Sequence, residues 1–494
     1  MISDHQSKLP FVLLAIVWIF SFDYSLSTFI FHGIVPYDQK RMLQLFLLIF
    51  ISISFFIIPI YRNTIISIIL SMRLLTQICF TGFLFFGFIS CFFSRIPLMA
   101  LLDWSLYVLL IFFALSWCAL ALQLGERFYF FLITVIFLVI AAYLYPVVMG
   151  YIYSYKHNEA IYFFPYFINI RFFSQFGIFT LALLPLADIA LSKRPILKYG
   201  RPLIFFLASF WWALMIVNGS RGLFYSFIIT TLIGLIVFRK TLFPWAWRQF
   251  CFLALGILAV FLFATSPAES NSQMVIHKNI SHISNVSNKE TQPRVVIYSY
   301  ALKLIEKHPL LGVGPMHFAY AQPAVLKKND DLVSHPHSTL LLFLSEWGIP
   351  AGILLLAFVL RNLLNLSQLA LYINKSNQNS NKKIIFISFA MSLVSGLLYS
   401  LVSGIAVTPL AQTIFAIITG SCLALYYENT PLQIKSNKAL ILTMGFILFF
   451  SISIILYKVM TTVPNLTQSE AAWLQAHGLN ARFNPRFWLQ GWLT

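Results

Sequence analysis

The chain has 494 residues, of which 60% are hydrophobic and only 10% are charged, and its mean hydropathy is +0.83. These values exclude an ordinary soluble domain, in which about half of the residues are apolar and roughly a quarter are charged. The formal net charge of +18 would point to nucleic acid in a soluble protein, but in a membrane protein basic residues first report topology. We therefore expect membrane lipids as partners, and no nucleic acid.

Apolar runs of about 20 residues, each long enough to cross roughly 30 Å of hydrocarbon, recur from Phe11 to Tyr457. They predict an all-α polytopic integral membrane protein with about 12–13 transmembrane helices. The expected starting points, in chain order, are Phe11, Met42, Leu74, Ser105, Phe128, Gly177, Pro202, Leu223, Phe250, Ser338, Ile384, Leu410 and Ala439.

Basic residues fall in alternate loops between these runs, and the positive-inside rule assigns such loops to the cytoplasm. With the N-terminus on the same side, the long segment Ser266–Ser334 lies outside. We therefore expect four regions: N-terminal transmembrane helices in residues 1–265, an external loop in residues 266–337, C-terminal transmembrane helices in residues 338–457, and an external tail in residues 458–494. The basic residues used are Arg62, Arg73, Lys193, Arg194, Lys198, Arg201, Arg239, Lys240, Arg248, Arg361, Lys375, Lys382, Lys383, Lys435 and Lys438.

Two external segments are unusual in composition. The first, Tyr151–Gln175, is dense in aromatic residues, which could stack on sugar faces or form an interfacial belt; the sequence leaves both readings open. The second is the long loop, which begins with Ser266–Glu290. This stretch is rich in Ser, Asn and Lys without periodicity, which predicts a mobile segment.

A helix is predicted next, with Thr291 as its N-cap and Pro293 in its first turn. Its apolar residues fall on one stripe, formed by Ile297, Ala301, Leu304 and Ile305. An amphipathic helix of this kind is expected to lie on the membrane surface. It should end at His308-Pro309, before the apolar turn Leu310–Pro315, in which two glycines permit positive φ.

Two external arginines are candidate anion ligands. Arg221 lies in the short turn Asn218–Gly222 at the outer membrane boundary, against the positive-inside bias, although an arginine that anchors a helix end explains it equally well. Arg294 lies in the first turn of the predicted surface helix, where the helix dipole disfavours a cation unless an anion binds there. Taken alone, a solvated arginine explains Arg294 better.

His337, in the sequence Ser334–Ser338, is a candidate general base because a neutral imidazole at the water–lipid boundary can accept a proton at physiological pH. An interfacial histidine without a role is the simpler reading. Glu346 is expected in a buried polar contact between helices. A metal site built from His308, His317 and His335 is disfavoured because carboxylate or Cys partners at regular spacing are missing. The tandem acids Asp330-Asp331 could bind a divalent ion, but a solvated pair in a loop explains them better.

These motifs, in this order, resemble the superfamily of O-antigen ligases and O-antigen polymerases. The resemblance covers about Arg171 to Pro350, and its motifs are Asn218–Gly222, Gln292-Pro293-Arg294, His308–Pro315, His335–Ser338 and Ser345–Gly348. Members include bacterial protein O-oligosaccharyltransferases, and all take a glycan from undecaprenyl diphosphate on the periplasmic side of the bacterial inner membrane. The resemblance implies a GT-C-like membrane fold in which the long loop is periplasmic and carries short amphipathic helices.

By this resemblance His337 matches the essential loop histidine, and Arg221 and Arg294 match arginines that engage the diphosphate. Arg171 is carried over only from a weaker similarity of Asn169–Phe176 to an external stretch of family members. The implied enzyme is a metal-independent, inverting glycosyltransferase that needs no nucleotide or other cofactor. Its donor would be an undecaprenyl-diphosphate-linked glycan, and the acceptor would be lipid A-core, with a growing glycan or a protein such as a pilin as alternatives.

Two other classes of membrane protein remain open at this stage. A polysaccharide flippase or exporter would also be basic and helical, but it usually carries repeated halves or polar groups deep within its helices. Besides Glu346, only Asp23 and Asp188 are expected deep in the spans, and no internal repeat is evident. A structural or assembly protein would not require the set of arginines and histidine.

Overall fold

The structure is a computed structural model that describes residues 4–23, 26, 31, 33–157, 164–187, 200–265, 292–325, 333–375, 380–430, 432, 435–477 and 486–489. Across these ranges the chain is almost entirely helical and contains no β-strand. Two expected features lie outside the described residues: the mobile stretch Ser266–Glu290 and the acid pair Asp330-Asp331.

The helices, numbered in chain order, are α1 (Asp4–Phe22), α2 (Pro36–Ile57), α3 (Pro59–Ser71), α4 (Leu74–Phe92), α5 (Pro97–Leu124), α6 (Glu126–His157), α7 (Ile170–Leu183), α8 (Arg201–Asn218), α9 (Arg221–Phe238), α10 (Phe243–Thr265), α11 (Gln292–Lys307), α12 (Phe318–Ala321), α13 (Thr339–Glu346), α14 (Ile349–Lys375), α15 (Ser380–Ser400), α16 (Pro409–Tyr427) and α17 (Lys438–His477).

The expected class, an all-α polytopic integral membrane protein, is confirmed. Among the described residues, 11 helical segments are long and apolar enough to cross a membrane. One of them, Arg221–Leu262, comprises α9 and α10 joined by a short 3-10 turn, and α1 contributes a shorter apolar segment, Lys8–Phe22. Helices satisfy their own backbone hydrogen bonds, which is what a chain in hydrocarbon requires.

The chain forms two compact units. The first unit contains residues 1–32, 120–287 and 366–399, and the second contains residues 33–119, 288–365 and 400–494. Each unit is therefore assembled from three separate parts of the chain, and each has its own interior.

The first unit is built around aromatic side chains from α1, α6, α7 and α8. The ring of Phe22 lies 5.1 Å from that of Phe176, and the ring of Phe173 lies 5.0 Å from that of Trp211. Two of its buried indole N–H groups have partners: Trp211 Nε1 donates to Thr180 Oγ1 at 2.9 Å, and Trp245 Nε1 donates to the Ala182 carbonyl at 2.9 Å. Such hydrogen bonds offset the cost of removing the indole N–H from water.

In the second unit, α4, α5 and α13 pack through aromatic rings at the end of α13. Phe83 stacks on Trp347 with ring centroids 4.6 Å apart, and Tyr107 meets the same indole edge-on at 5.7 Å. The hydroxyl of Tyr107 donates to the Ala406 carbonyl at 2.9 Å, which ties α5 to the connection between α15 and α16. This packing fixes the end of α13, where the sequence motif Ser345–Gly348 lies.

Several expected boundaries are wrong. The span expected to begin near Ser338 is two helices, α13 and α14, because the chain breaks at Gly348, where φ is +90°. A helix occupies Pro59–Ser71, where the sequence predicted a basic loop. The aromatic segment Tyr151–Gln175 is not a loop throughout, because α6 continues to His157 and α7 begins at Ile170.

The C-terminal part of the chain also differs from a simple tail. Helix α17 runs without a break from Lys438 to His477, well past the expected end of the last span near Tyr457. Beyond it, the short segment Arg486–Leu489 is buried within the second unit. The side of the membrane on which these residues lie stays a prediction.

Candidate functional site

The motif residues around Leu310–Pro315 are docked against the break between α13 and α14. The amide of Val313 donates to the Ser345 carbonyl at 2.9 Å, and the amide of Gly314 donates to the Glu346 carbonyl at 2.8 Å. The amide of Ile349 returns a hydrogen bond to the Pro309 carbonyl at 2.8 Å. Two motifs that are separated in sequence therefore form one hydrogen-bonded unit, which we call the docked turn.

Glycine is required in the docked turn because the two backbones lie in direct contact. At Gly312, where φ is +66°, a Cβ atom would lie 2.7 Å from the Ser345 carbonyl oxygen and closer still to the Glu346 carbonyl group. At Gly348 a Cβ atom would overlap the Leu310 carbonyl. No side chain fits in either place, which explains the glycines of both motifs.

The carboxylate of Glu346 holds the residues that follow the docked turn. Its two oxygens accept hydrogen bonds from the amides of Met316, at 2.9 Å, and Phe318, at 3.1 Å. The carboxylate is fully buried and forms an ion pair with Arg486. The expectation that Glu346 makes a buried polar contact is confirmed, although its charged partner comes from the C-terminal segment.

A second carboxylate completes this buried cluster. Arg486 Nη2 also contacts Asp103 Oδ2 at 3.1 Å, so one guanidinium serves two acids. Burial raises the pKa of Glu346 to about 7, and the guanidinium of Arg486 opposes that rise. The arginine is therefore needed if Glu346 is to stay ionised and accept two amide hydrogen bonds at physiological pH.

The candidate base His337 lies in a short loop that enters α13. Its backbone has φ of +53°, a conformation that few residues other than glycine adopt. The next residue, Ser338, is the N-cap of α13, with its side-chain oxygen facing the amide of Leu341. The loop is thus fixed at a helix end, and His337 itself is partly exposed.

His335 is the buried neighbour of His337 in this loop. Its ring centroid lies 4.4 Å from that of His337, Nδ1 pairs with Ser334 Oγ at 2.8 Å, and Nε2 faces Gly404, where a Cβ atom would overlap it. Burial, followed by the charges of His337 and Arg486, lowers the pKa of His335 well below its usual range. His335 is therefore neutral and structural, and it is buried whereas His337 is partly exposed.

Arg294 lies in the first turn of α11 in the same unit, and its side chain is partly exposed. The expected helix is confirmed, and three of the four residues of its apolar stripe are buried, but against protein rather than lipid. Ile297, Ala301 and Leu304 instead share a core with Phe318 and Val325, against which Val333 and Leu341 also pack. Because Val333 and Leu341 flank the loop of His337, the helix of Arg294 and that loop rest on one common core.

Arg171 and Arg221 lie in the first unit, each in the first turn of a helix, α7 or α9. The two helix starts are tied together. Asn218 Nδ2 donates to the Ile170 carbonyl at 2.8 Å, and the Tyr399 hydroxyl bonds both Ser174 Oγ, at 3.0 Å, and Ser220 Oγ, at 2.9 Å. The structure therefore brings Arg171 and Arg221 to adjacent helix N-termini, where backbone dipoles favour an anion.

The histidines considered as metal ligands have other surroundings. His317 Nδ1 donates to the Pro315 carbonyl at 2.7 Å and its Nε2 accepts from the Ile96 amide at 3.0 Å, so both ring nitrogens are engaged. His308 is exposed at the end of α11. Across the described residues no group of three His, Cys, Asp or Glu side chains is arranged to hold a metal ion. Metal independence stays a prediction.

The sequence did not predict two buried acids of the second unit. Asp38 and Asp103 lie buried in α2 and α5, so the expectation that only Asp23 and Asp188 accompany Glu346 was wrong. Asp188 itself lies outside the described residues. The expected spans began at Met42 and Ser105, just after these acids. A charged residue next to an apolar run was the available signal, since such residues are costly in a membrane unless paired.

The fold is that of a polytopic membrane protein, and the docked turn joins two of its sequence motifs, His308–Pro315 and Ser345–Gly348. Residues 203–356, less than half of the chain, match the family described as O-antigen ligase, so this part of the chain is similar to that family. Members of this family are glycosyl-transferring enzymes. No match to the chain was found among curated proteins.

Proposed function

We propose that the protein transfers a glycan from an undecaprenyl-diphosphate carrier to an acceptor hydroxyl, with lipid A-core as the acceptor. The observation that carries this proposal is the placement of His337. It is partly exposed, held at the start of α13 and in edge-on contact with the ring of a neutral histidine, within the region that matches the family. A base must be oriented and accessible in this way to receive a proton from a substrate.

In the proposed reaction, the acceptor hydroxyl oxygen attacks the anomeric carbon of the first sugar. The bond between that carbon and the diphosphate oxygen breaks, and its electron pair leaves with the polyprenyl diphosphate. The proton of the hydroxyl passes to the imidazole of His337. Direct displacement inverts the anomeric configuration, and the reaction needs no nucleotide or other cofactor because the diphosphate bond supplies the driving force.

The arginines are proposed to bind and stabilise the diphosphate. In the first unit, Arg171 and Arg221 lie at adjacent helix N-termini, and a guanidinium beside free N–H groups favours a phosphate. In the second unit, Arg294 lies in the first turn of α11 and is proposed to have the same role. Charge stabilisation by guanidinium groups would replace the divalent ion that many nucleotide-sugar transferases use.

We further propose that the reaction takes place on the periplasmic side of the bacterial inner membrane. Residues 266–337 would form the periplasmic loop between the transmembrane regions 1–265 and 338–457, and residues 458–494 would be periplasmic as well. The distribution of Lys and Arg among the loops supports this orientation. A flippase is less well supported, because its transport route would not need a base held at the start of a short helix.

Purified protein supplied with undecaprenyl-diphosphate glycan and, in separate reactions, lipid A-core, a free glycan or a pilin protein would test the proposal. We expect glycosylated lipid A-core in the presence of excess chelator. Transfer to the glycan or to pilin alone would reassign the protein as an O-antigen polymerase or a protein O-oligosaccharyltransferase. Failure to transfer to any acceptor, by a folded protein, would contradict the proposal and favour the flippase class.

A further inference from the structure

We propose that the segment Arg486–Leu489, which we call the C-terminal clamp, holds the loop of His337 in place, and that Arg486 is the positioning residue through which it acts. The structural part of this inference is independent of the proposed function. Its catalytic consequence rests on that function.

Hydrogen bonds between the backbone of the C-terminal clamp and side chains of α2 hold the segment in place. The Tyr37 hydroxyl donates to the Arg486 carbonyl at 2.7 Å, Arg41 Nε donates to the Phe487 carbonyl at 3.0 Å, and the Leu489 amide donates to Asp38 Oδ1 at 2.7 Å. All four residues are at most 6% exposed. Helix α2 therefore fixes the position of a segment that lies more than 400 residues away in sequence.

The side chain of Arg486 is held between two buried acids of different helices. It contacts Asp103 on α5 and Glu346 at the end of α13. Without the guanidinium, two carboxylates would share a buried space, and repulsion and desolvation would drive at least one of them to take up a proton or move. Asp103 lies within a long, buried helix, whereas Glu346 lies at a helix end.

Glu346 passes this constraint to the loop. Its oxygens hold the amides of Met316 and Phe318, and Phe318 is fully buried in the core that α11 forms with the residues flanking His337. A protonated or displaced Glu346 would release at least one of these amides. The chain of contacts runs from the clamp through Glu346 and Phe318 to the loop, and each step is a hydrogen bond or a packed side chain.

Arg486 itself is buried and acts on the loop of His337 through other residues, chiefly Glu346, so it is a positioning residue. Its loss is expected to loosen residues 313–321 and to lower kcat for glycan transfer, while KM for the lipid-linked donor stays near that of the wild type. A residue that merely stabilised the whole protein would raise hydrogen exchange throughout the second unit.

Hydrogen–deuterium exchange of the full-length protein in detergent tests the clamp. In Arg486→Gln, the peptide containing Met316 and Phe318 should exchange about tenfold faster or more, since an amide loses a hydrogen bond to a charged acceptor. The matched control is Arg361→Gln, which removes a partly buried arginine of α14 in the same unit and should leave that peptide unchanged. Wild-type exchange in Arg486→Gln would overturn the inference.

If Arg486→Gln does not accumulate as folded protein, Arg486→Lys takes its place. Both acids are contacted by the same nitrogen, Nη2, and a lysine ammonium ends one bond short of it, so the charge is kept but the contact with both acids is not. The same peptide should therefore exchange faster than in the wild type. Wild-type exchange there would equally overturn the clamp. Faster exchange with unchanged glycan transfer would leave the clamp standing and would contradict the assignment of catalysis to the loop of His337.

Discussion

Replacing Gly312 by alanine would place a methyl group inside the contact between the docked turn and the end of α13. The new Cβ would lie 2.7 Å from the Ser345 carbonyl oxygen and closer to the Glu346 carbonyl, and both are backbone groups that cannot rotate away. Two costs add. Alanine at positive φ costs about 1–2 kcal/mol, and forcing atoms into a packed contact costs about 1–3 kcal/mol more.

Gly125 provides a matched control for the first of these costs. Its φ is +56°, but a Cβ atom there would meet nothing within 4 Å. Gly125→Ala should therefore lose only about 1–2 kcal/mol, whereas Gly312→Ala should lose roughly 2–5 kcal/mol. Because a shift of about an ångström at a catalytic group can cost on the order of a hundredfold in rate, only Gly312→Ala should also impair glycan transfer.

Unfolding by SDS in mixed micelles, followed by tryptophan fluorescence, would give the two losses of stability, and a purified transfer assay would give the rates. Equal losses for Gly312→Ala and Gly125→Ala would show that the close approach of the two backbones contributes nothing. The docked turn would then not be the element that fixes the loop.

Three further outcomes are expected. Arg221→Lys and Arg294→Lys should each lower the rate of glycan transfer about tenfold or more, because an ammonium cannot bind a phosphate with a planar fork. The control, Arg248→Lys on α10, should keep the wild-type rate. Wild-type rates in the first two variants would mean that these arginines only anchor helix ends. A membrane-impermeant thiol reagent added outside intact spheroplasts should label Lys303→Cys but not Lys240→Cys, two positions that are both exposed in the structure. The reverse pattern would show that the expected topology is inverted. The pKa of His335 is lowered in the folded protein, so below pH 6.5 this imidazole takes up a proton in the unfolded chain but not in the folded one. The free energy of unfolding should therefore fall by up to about 1.4 kcal/mol per pH unit on acidification. The unfolding midpoint, measured at pH 5 and pH 7.5, should therefore differ less in His335→Asn than in the wild type. An equal difference in the two proteins would contradict the role of His335 in acid sensitivity.

Local sequence patterns predicted the membrane class and the amphipathic helix, because both depend on residues close together in the chain. The break at Gly348 was missed, since hydropathy stays high across it. A local signal was nevertheless present: Gly348-Ile349-Pro350 places a proline in the first turn of α14, which is typical of a helix start.

Long-range contacts were not predictable in the same way. The sequence gives no sign that Arg486 meets Asp103 and Glu346, which lie 383 and 140 residues away. The difference in burial between His335 and His337 was equally hidden, because it is set by the connection containing Gly404 rather than by the loop itself. The apolar stripe of α11 was identified correctly, but its partner was a protein core and not lipid.

The proposed reaction depends most on His337 acting as the general base. The backbone conformation of His337 decides which substitution tests this role. At φ of +53° an alanine would add strain to the loss of the imidazole, whereas asparagine tolerates this conformation and cannot act as a base near neutral pH. His337→Asn therefore isolates the chemistry better than His337→Ala. His308→Asn, at an exposed histidine of the same region, is the control.

The most direct measurement is the transfer rate of purified, folded His337→Asn with undecaprenyl-diphosphate glycan and lipid A-core, compared with the wild type and His308→Asn. We expect a loss of about 10²–10⁴-fold for His337→Asn, the usual contribution of a general base, and no loss for the control. A wild-type rate in His337→Asn would contradict the assignment of the base to this loop.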